Sequence, residues 1–211
     1  METKEPEILL LRTFADREDT DAKQPGSDPA QQAQTRAYGA LRSNGAIDRM
    51  TIERRALSPD DVAIDILYCG GCHSDIHMVR DEWGEQPLPM VPGHEFAERV
   101  TAVGPAVTRL VPGNFAGVGC TVDSCGVCDN CQAGLEQYCA SSNTLTYASP
   151  DTRGPGPTLR GYSERIVVRE RFVVKIPEGV DLASTAPLLC RGSPPFRRCS
   201  IGGSVPASAL R

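Results

Sequence analysis

Six cysteines and one histidine fall into two groups whose residue types can hold metal. Cys125, Cys128, Cys131 and Cys139 read C-x2-C-x2-C-x7-C. Thiolates are soft donors, and four of them satisfy Zn2+ tetrahedrally at about 2.3 Å. Two intervening residues let a tight loop aim successive sulfurs at one point, and Gly126 and Gly134 ease the turns. A closed four-thiolate shell leaves no open position, so the pattern predicts a structural zinc that staples a lobe. An iron–sulfur cluster and a set of unpaired thiols are the alternatives.

The second group is dispersed. One stretch reads Tyr68-Cys69-Gly70-Gly71-Cys72-His73-Ser74-Asp75-Ile76-His77, another Val91-Pro92-Gly93-His94-Glu95, a third Pro187-Leu188-Leu189-Cys190. Catalytic zinc takes three protein ligands and keeps one exchangeable position. Cys72, His94 and Cys190 would supply that Cys2His shell, with Glu95 able to reach the ion when water leaves. Zinc in such a setting lowers the pKa of a bound water or alcohol. Ser74 and His77, a hydroxyl and an imidazole, could carry the released proton to solvent. Duller readings stand beside each piece. Cys69 and Cys72 could be a dithiol redox pair opening a helix. His94 could be a hydrogen-bonded loop histidine and Cys190 a buried apolar thiol, and spacing alone does not bring the three segments together.

These groups need elements to position them. The chain has 211 residues, with 20 glycines, 17 prolines and 5% aromatics, a turn-rich composition that points to a mainly β fold. Short β-prone runs occur at 36–41, 50–56, 62–68, 96–103, 114–118, 162–168 and 172–176, separated by turn formers such as Asn44-Gly45, Pro92-Gly93 and Pro112-Gly113. Many short strands at that spacing predict a barrel or sandwich. A helix is expected near His73, with Ser74 and Asp75 as capping groups before Ile76–Arg80. Residues 1–34 carry most of an acidic segment without periodicity and read as a disordered extension.

Net charge −5 and a pI near 5.3 argue against nucleic acid or an anionic membrane as partner. No apolar run approaches the ~20 residues of a spanning helix, and Ile8–Leu11 is too short for a signal-peptide core. The expected address is cytoplasmic. Nine cysteines there, an odd number, point to metal rather than disulfides.

Taken together, Cys-Gly-x-Cys-His-Ser-Asp, Pro-Gly-His-Glu, the four-cysteine lobe and Pro-Leu-Leu-Cys resemble the zinc-dependent medium-chain alcohol dehydrogenases. The resemblance is to the cinnamyl-alcohol-dehydrogenase-like, NADP-dependent branch. Supporting stretches are 35–40, 62–69, 118–125, 134–139 and 161–171, so the likeness runs from Thr35 to Cys190. It implies a GroES-like β-barrel catalytic domain that interconverts primary alcohols and aldehydes with NADP(H). Carried over by position, Cys72, His94 and Cys190 are catalytic zinc ligands with Glu95 beside them, and the four cysteines hold structural zinc. Ser74 and His77 match the proton relay, His73 the cofactor-phosphate contact, Asp75 a residue behind the ligands, and Trp83 the substrate pocket. Three positions depart from the family pattern. Gly71 stands for Val or Ile, Phe115 breaks a Gly-Asp-Arg-Val run, and Glu98 replaces a glycine, which would strain the backbone if φ were positive there.

The family continues past Cys190 into a Rossmann domain, which needs a strand–glycine-turn–helix unit within a parallel sheet. Residues 191–211 contain no such unit. Back-translated and read one frame over, they resemble the family's continuation, so a frameshift just after the Cys190 codon is expected. On that reading the chain is truncated, lacks the family's dimer interface, and is inactive alone because nothing positions the nicotinamide. The alternatives are a non-enzymatic zinc-binding GroES-like fragment or the dead product of a broken gene, and, more remotely, the dithiol redox protein.

Overall fold

The computed structural model describes residues 33–191; of the extension expected over 1–34 only Ala33 and Gln34 are described, in β1, and of the tail expected to be frameshifted over 191–211 only Arg191, at the end of a short helix, while the rest of both lies outside the described residues. The chain runs through nine strands and four short helices: β1 (Ala33–Gly39), β2 (Asp48–Arg54), β3 (Asp61–Cys69), α1 (His73–Val79), β4 (Phe96–Val103), β5 (Phe115–Val118), β6 (Thr121–Asp123), α2 (Asp129–Gln132), β7 (Thr144–Leu145), β8 (Arg165–Arg169), β9 (Val173–Lys175), α3 (Leu182–Thr185) and α4 (Leu188–Arg191). The expected strands all appear, with ends shifted by a few residues. β1 takes in Ala33–Thr35 ahead of the expected start at Arg36. The sequence reading did not foresee β6, β7 or the short helices α2 to α4.

Five strands form one antiparallel sheet in the order β8-β3-β4-β5-β9. Its β-branched runs, Val62–Ile66 on β3 and Ile166–Val168 on β8, pack with Phe96, Val100, Ala116, Val118 and Val173 into the main core. Alternation puts every second side chain inside, and Val, Ile and Phe suit such a pleated, half-buried surface. The β1–β2 hairpin turns at Asn44-Gly45 and lies across this sheet through the Ala37–Ser163 and Ala40–Met90 bridges. Two further apolar clusters form there, Ala37, Ile52, Val91 and Tyr162, and Ala40, Val79, Met90 and Tyr147. The second of these seats α1. Every strand pairing among the described residues is antiparallel. No helix among them is long and apolar enough to cross a membrane.

Two local expectations change. Helix α1 is capped by Cys72, not by Ser74; Asp75 sits one turn in, and its carboxylate accepts the Cys72 N–H at 3.0 Å. Glu98 lies in regular β4 and is not among the residues of positive φ, so its backbone is unstrained. The cost of replacing glycine there is burial instead. Glu98 is fully buried opposite Ile66 and Ala116, and both carboxyl oxygens lack a hydrogen-bond partner. Phe115 gains a cation–π contact, with the Arg99 guanidinium 5.2 Å from its ring centre. At Gly71 a Cβ would meet only the Tyr162 hydroxyl, at 3.5 Å, so a larger residue fits.

Candidate metal centres

The fold gathers both groups. The sulfurs of Cys125, Cys128, Cys131 and Cys139 all lie within 4.8 Å of one another. Cys125 and Cys131 are 3.8 Å apart, the edge of a tetrahedron with metal–sulfur bonds of about 2.3 Å. Backbone N–H groups point at the sulfurs: Cys128 N at Cys125, Ala140 N at Cys128 and Cys125 N at Cys139, at 3.4 to 3.5 Å. N–H donation from Val127 and Cys128 brings the Cys125 thiol down to about 6, which favours the thiolate that a metal needs. Gly126 and Gly134, at φ 72° and 73°, turn the chain between ligands. The donor set and its spacing fit Zn2+.

The lobe is tied to the sheet by charge. Arg169 of β8 spans Asp60 and Asp123 at 2.8 Å each, and Arg153 reaches Asp60 at 2.8 Å and Asp123 at 3.5 Å. Asp123 ends β6, two residues before Cys125. Hydrogen bonding from Arg153, then Arg169, holds the Asp60 carboxyl down at about 2.

The three dispersed segments also meet. Ligand atoms of Cys72, His94 and Cys190 lie within 4.8 Å of one another, from the cap of α1, the turn before β4, and α4. Three donors with no fourth protein atom in the group fit an open, catalytic type of zinc site. Asp75 holds two of the segments together. Besides the Cys72 N–H it accepts the Gly93 N–H at 3.0 Å and faces His94 Nδ1 at 3.2 Å. That bond leaves His94 Nε2 for the cluster. Asp75 and Cys72 raise the His94 pKa despite its burial. Burial opposes ionisation of the Cys72 thiol, yet the Ser74 hydrogen bonds and His94 outweigh it and lower its pKa.

The turn before His94 is itself braced. Gly93 has φ 95°, and a Cβ there would fall 2.8 Å from Gly161 Cα and 2.9 Å from Cys69 Sγ, so only glycine fits. The backbone of 160–162 bonds Val91, Pro92 and Gly93 at 2.9 to 3.1 Å. Buried Arg54 clamps that segment through the Arg165 carbonyl at 2.7 Å and Ser163 Oγ at 2.6 Å. Cys69 packs into this contact, and burial, then the Asp75 charge, pushes its thiol well above the ordinary value. A thiol in that state is a poor redox partner for Cys72.

The other expected residues lie around the cluster. Glu95 is buried with Oε1 against Gly70, outside the group of atoms within 4.8 Å. Ser74 Oγ lies 3.5 Å from Cys72 Sγ, placed to donate to it as the thiolate. His77, three residues on along α1, bonds the Glu82 carboxylate through Nδ1 and stacks on Trp83 at 4.8 Å. Trp83 is 60% exposed and His73 is exposed at the start of α1. Sequence reasoning missed Tyr147, whose ring lies 5.5 Å from that of His94, Tyr162, whose hydroxyl approaches Asp75 at 3.5 Å, and Cys120, whose thiol stands against Cys190. Cys120 and Tyr162 lie in stretches that carried only the resemblance and Tyr147 in none, so only tertiary packing reveals their place.

The pattern that defines the alcohol dehydrogenase GroES-like domain matches residues 58–178, more than half of the chain. The chain belongs to this family. Among curated relatives, aldehyde reductase YahK of Escherichia coli is 51% identical over 158 residues, covering 74% of this chain and 45% of its own length. NADP-dependent alcohol dehydrogenase C 1 of Mycolicibacterium smegmatis is 52% identical over 157 residues, with 74% and 45% covered. Of solved structures, CAD from Helicobacter pylori complexed with NADP(H) superposes with a TM-score of 0.77 at 37% identity, covering 81% of this chain and 49% of that one. This GroES-like chain spans under half the length of these relatives. The residues that its family description matches include the four-cysteine lobe, Cys72 and His94.

Proposed function

We propose that residues 35–190 are the metal-bearing, proton-handling part of a zinc-dependent alcohol dehydrogenase or aldehyde reductase, acting on a small alcohol or aldehyde with NADP(H). The observation that carries this is the convergence of Cys72, His94 and Cys190 from three distant segments, beside a helix that bears Ser74 and His77. The relatives' names, NADP-dependent alcohol dehydrogenase and aldehyde reductase, support the substrate class and the cofactor.

Zinc held by Cys72, His94 and Cys190 supplies a Lewis acid that makes an alcohol hydroxyl acidic near neutral pH. Asp75 fixes the His94 ring through Nδ1 and the Cys72 backbone through its N–H. Ser74 Oγ, next to Cys72 Sγ, takes the substrate proton, and His77 on the same helix face passes it outward. Glu82 holds the His77 ring in the tautomer with Nδ1–H, leaving Nε2 to accept. Trp83, stacked on His77, offers an apolar wall to the substrate. Glu95 stands as a reserve carboxylate beside Gly70. At the structural site Cys125, Cys128, Cys131 and Cys139 hold the second zinc. The described residues contain no parallel strand pair on which a dinucleotide cradle is built. His73 is the residue proposed to meet the cofactor phosphate.

Cobalt substitution tests the reading. Two Co2+ spectra are expected, a tetrathiolate one and one with two thiolates that shifts when imidazole or an alcohol is added. Aldehyde-dependent NADPH oxidation on the same sample reads turnover. A single tetrathiolate spectrum, indifferent to added ligand, contradicts the proposal.

A further inference from the structure

Helix α1 and the turn after it form a second constellation that the proposed reaction does not require as a unit. His73 and His77 are four residues apart, the spacing that places two side chains one above the other on a helix face. Their ring centroids lie 4.6 Å apart with planes inclined by 51°. Two imidazole nitrogens sharing a divalent ion at bonds of about 2.0–2.1 Å stand about 3–3.4 Å from each other. Rings centred 4.6 Å apart are spaced for that.

The surroundings hold one of the two rings ready. The Glu82 carboxylate bonds His77 Nδ1, which leaves Nε2 as the donor atom; a carboxylate behind a ligating histidine fixes its tautomer and raises its basicity. Trp83 stacks on the same ring at 4.8 Å and 27°, so His77 is fixed by a bond and a stack together. His73, its ring already 4.6 Å from that of His77, is exposed, so an ion can reach it from solvent. Asp81, Glu82 and Glu85 follow the helix, and Arg80, 3.8 Å from Glu82, is the cation among them. The local field favours a positive ion.

We propose that His73 and His77 chelate a divalent transition-metal ion of the Ni2+, Cu2+ or Zn2+ class, with Glu82 supporting His77 from behind. The borderline softness of these ions suits imidazole. The site uses none of the ligand atoms of the two cysteine-bearing clusters, and its existence stands on this geometry alone. Only its consequence rests on the function proposed above: an ion here occupies the imidazole assigned to the proton route and the one assigned to the cofactor phosphate, and so inhibits.

Trp83 is the chain's one tryptophan and touches His77, which makes it a local reporter. The full chain, zinc-loaded and freed of excess metal, is titrated with Ni2+ while tryptophan fluorescence and released zinc are followed. The expected result is saturable quenching by a single equivalent with no zinc released. His73→Gln, which leaves the His77–Trp83 stack in place, raises the Ni2+ concentration for half-quenching at least about tenfold, and Glu82→Gln raises it less. Absence of quenching, quenching accompanied by zinc release, or the same half-point in His73→Gln overturns the proposal.

Discussion

The Asp75 carboxylate receives the Cys72 N–H, the Gly93 N–H and the His94 imidazole, so one side chain aligns two of the three proposed ligands. Asparagine keeps its shape but offers one carbonyl oxygen where two acceptor oxygens are used. Asp75→Asn is expected to weaken zinc at the Cys72–His94–Cys190 site by about 10- to 100-fold while leaving the four-cysteine site unchanged. Competition with a chromophoric chelator reads both sites in one titration. Equal affinity in variant and wild type would show that Asp75 does not align the ligands. At this scale the sequence was informative wherever chemistry is written in residue types. Four spaced cysteines and the Cys72, His94 and Cys190 motifs singled out the side chains that the fold gathers, because thiolate and imidazole are the donors that zinc accepts. Tyr147 and Arg54 were illegible for the opposite reason: a buried tyrosine or arginine acquires its role from partners far along the chain.

Strand β4 joins the site to the core, since it follows His94-Glu95 and, three residues past Glu95, buries Glu98 within the five-stranded sheet. The inner faces around Glu98 are apolar. On β3 it stands opposite Ile66 and on β5 opposite Ala116, and the Cys69 thiol is a titratable group whose ionisation its charge would oppose. Burial with no compensating charge pushes its carboxyl well above the usual 4.5. The folded chain therefore keeps a proton that the unfolded chain releases. The resulting contribution to stability is full below pH 4.5 and declines as pH rises toward the folded value. Glu98→Met, similar in shape and without polar atoms, is expected to stabilise the domain at pH 7 by about 1–3 kcal/mol and to flatten that pH dependence. Urea unfolding between pH 5 and 8 checks it, and parallel curves for the two proteins would refute it. The family resemblance flagged position 98 through its missing glycine, but the flag pointed to φ; the register that buries the side chain came only with the sheet. Helix α1 shows the same limit, because the capping aspartate was recognised while its position, one turn inside, was not.

At the scale of the molecule, the two candidate metal clusters are held by different architecture. The four-cysteine lobe is made of short segments, β6, α2 and β7, with little apolar packing of its own and its ligands within 15 positions of one another. The second cluster is assembled by the main sheet. Stripping all zinc with a strong chelator is therefore expected to remove amide-exchange protection from residues 124–145 while β3, β4 and β8 stay protected. Loss of protection throughout would mean that the metal holds the sheet as well. The mainly β architecture was legible because alternation and turn formers are local signals. The strand order β8-β3-β4-β5-β9 and the placement of α4 beside His94 were not, since long-range pairing leaves no local trace. The family resemblance supplied what local reading could not: that Cys190 belongs with Cys72 and His94.

Elemental analysis decides whether this chain builds two distinct metal centres. Zinc per chain is measured for the wild type, Cys72→Ser and Cys125→Ser after identical purification. Two zincs in the wild type and about one in each variant is the predicted result. One zinc in the wild type, unchanged by Cys72→Ser, would contradict it.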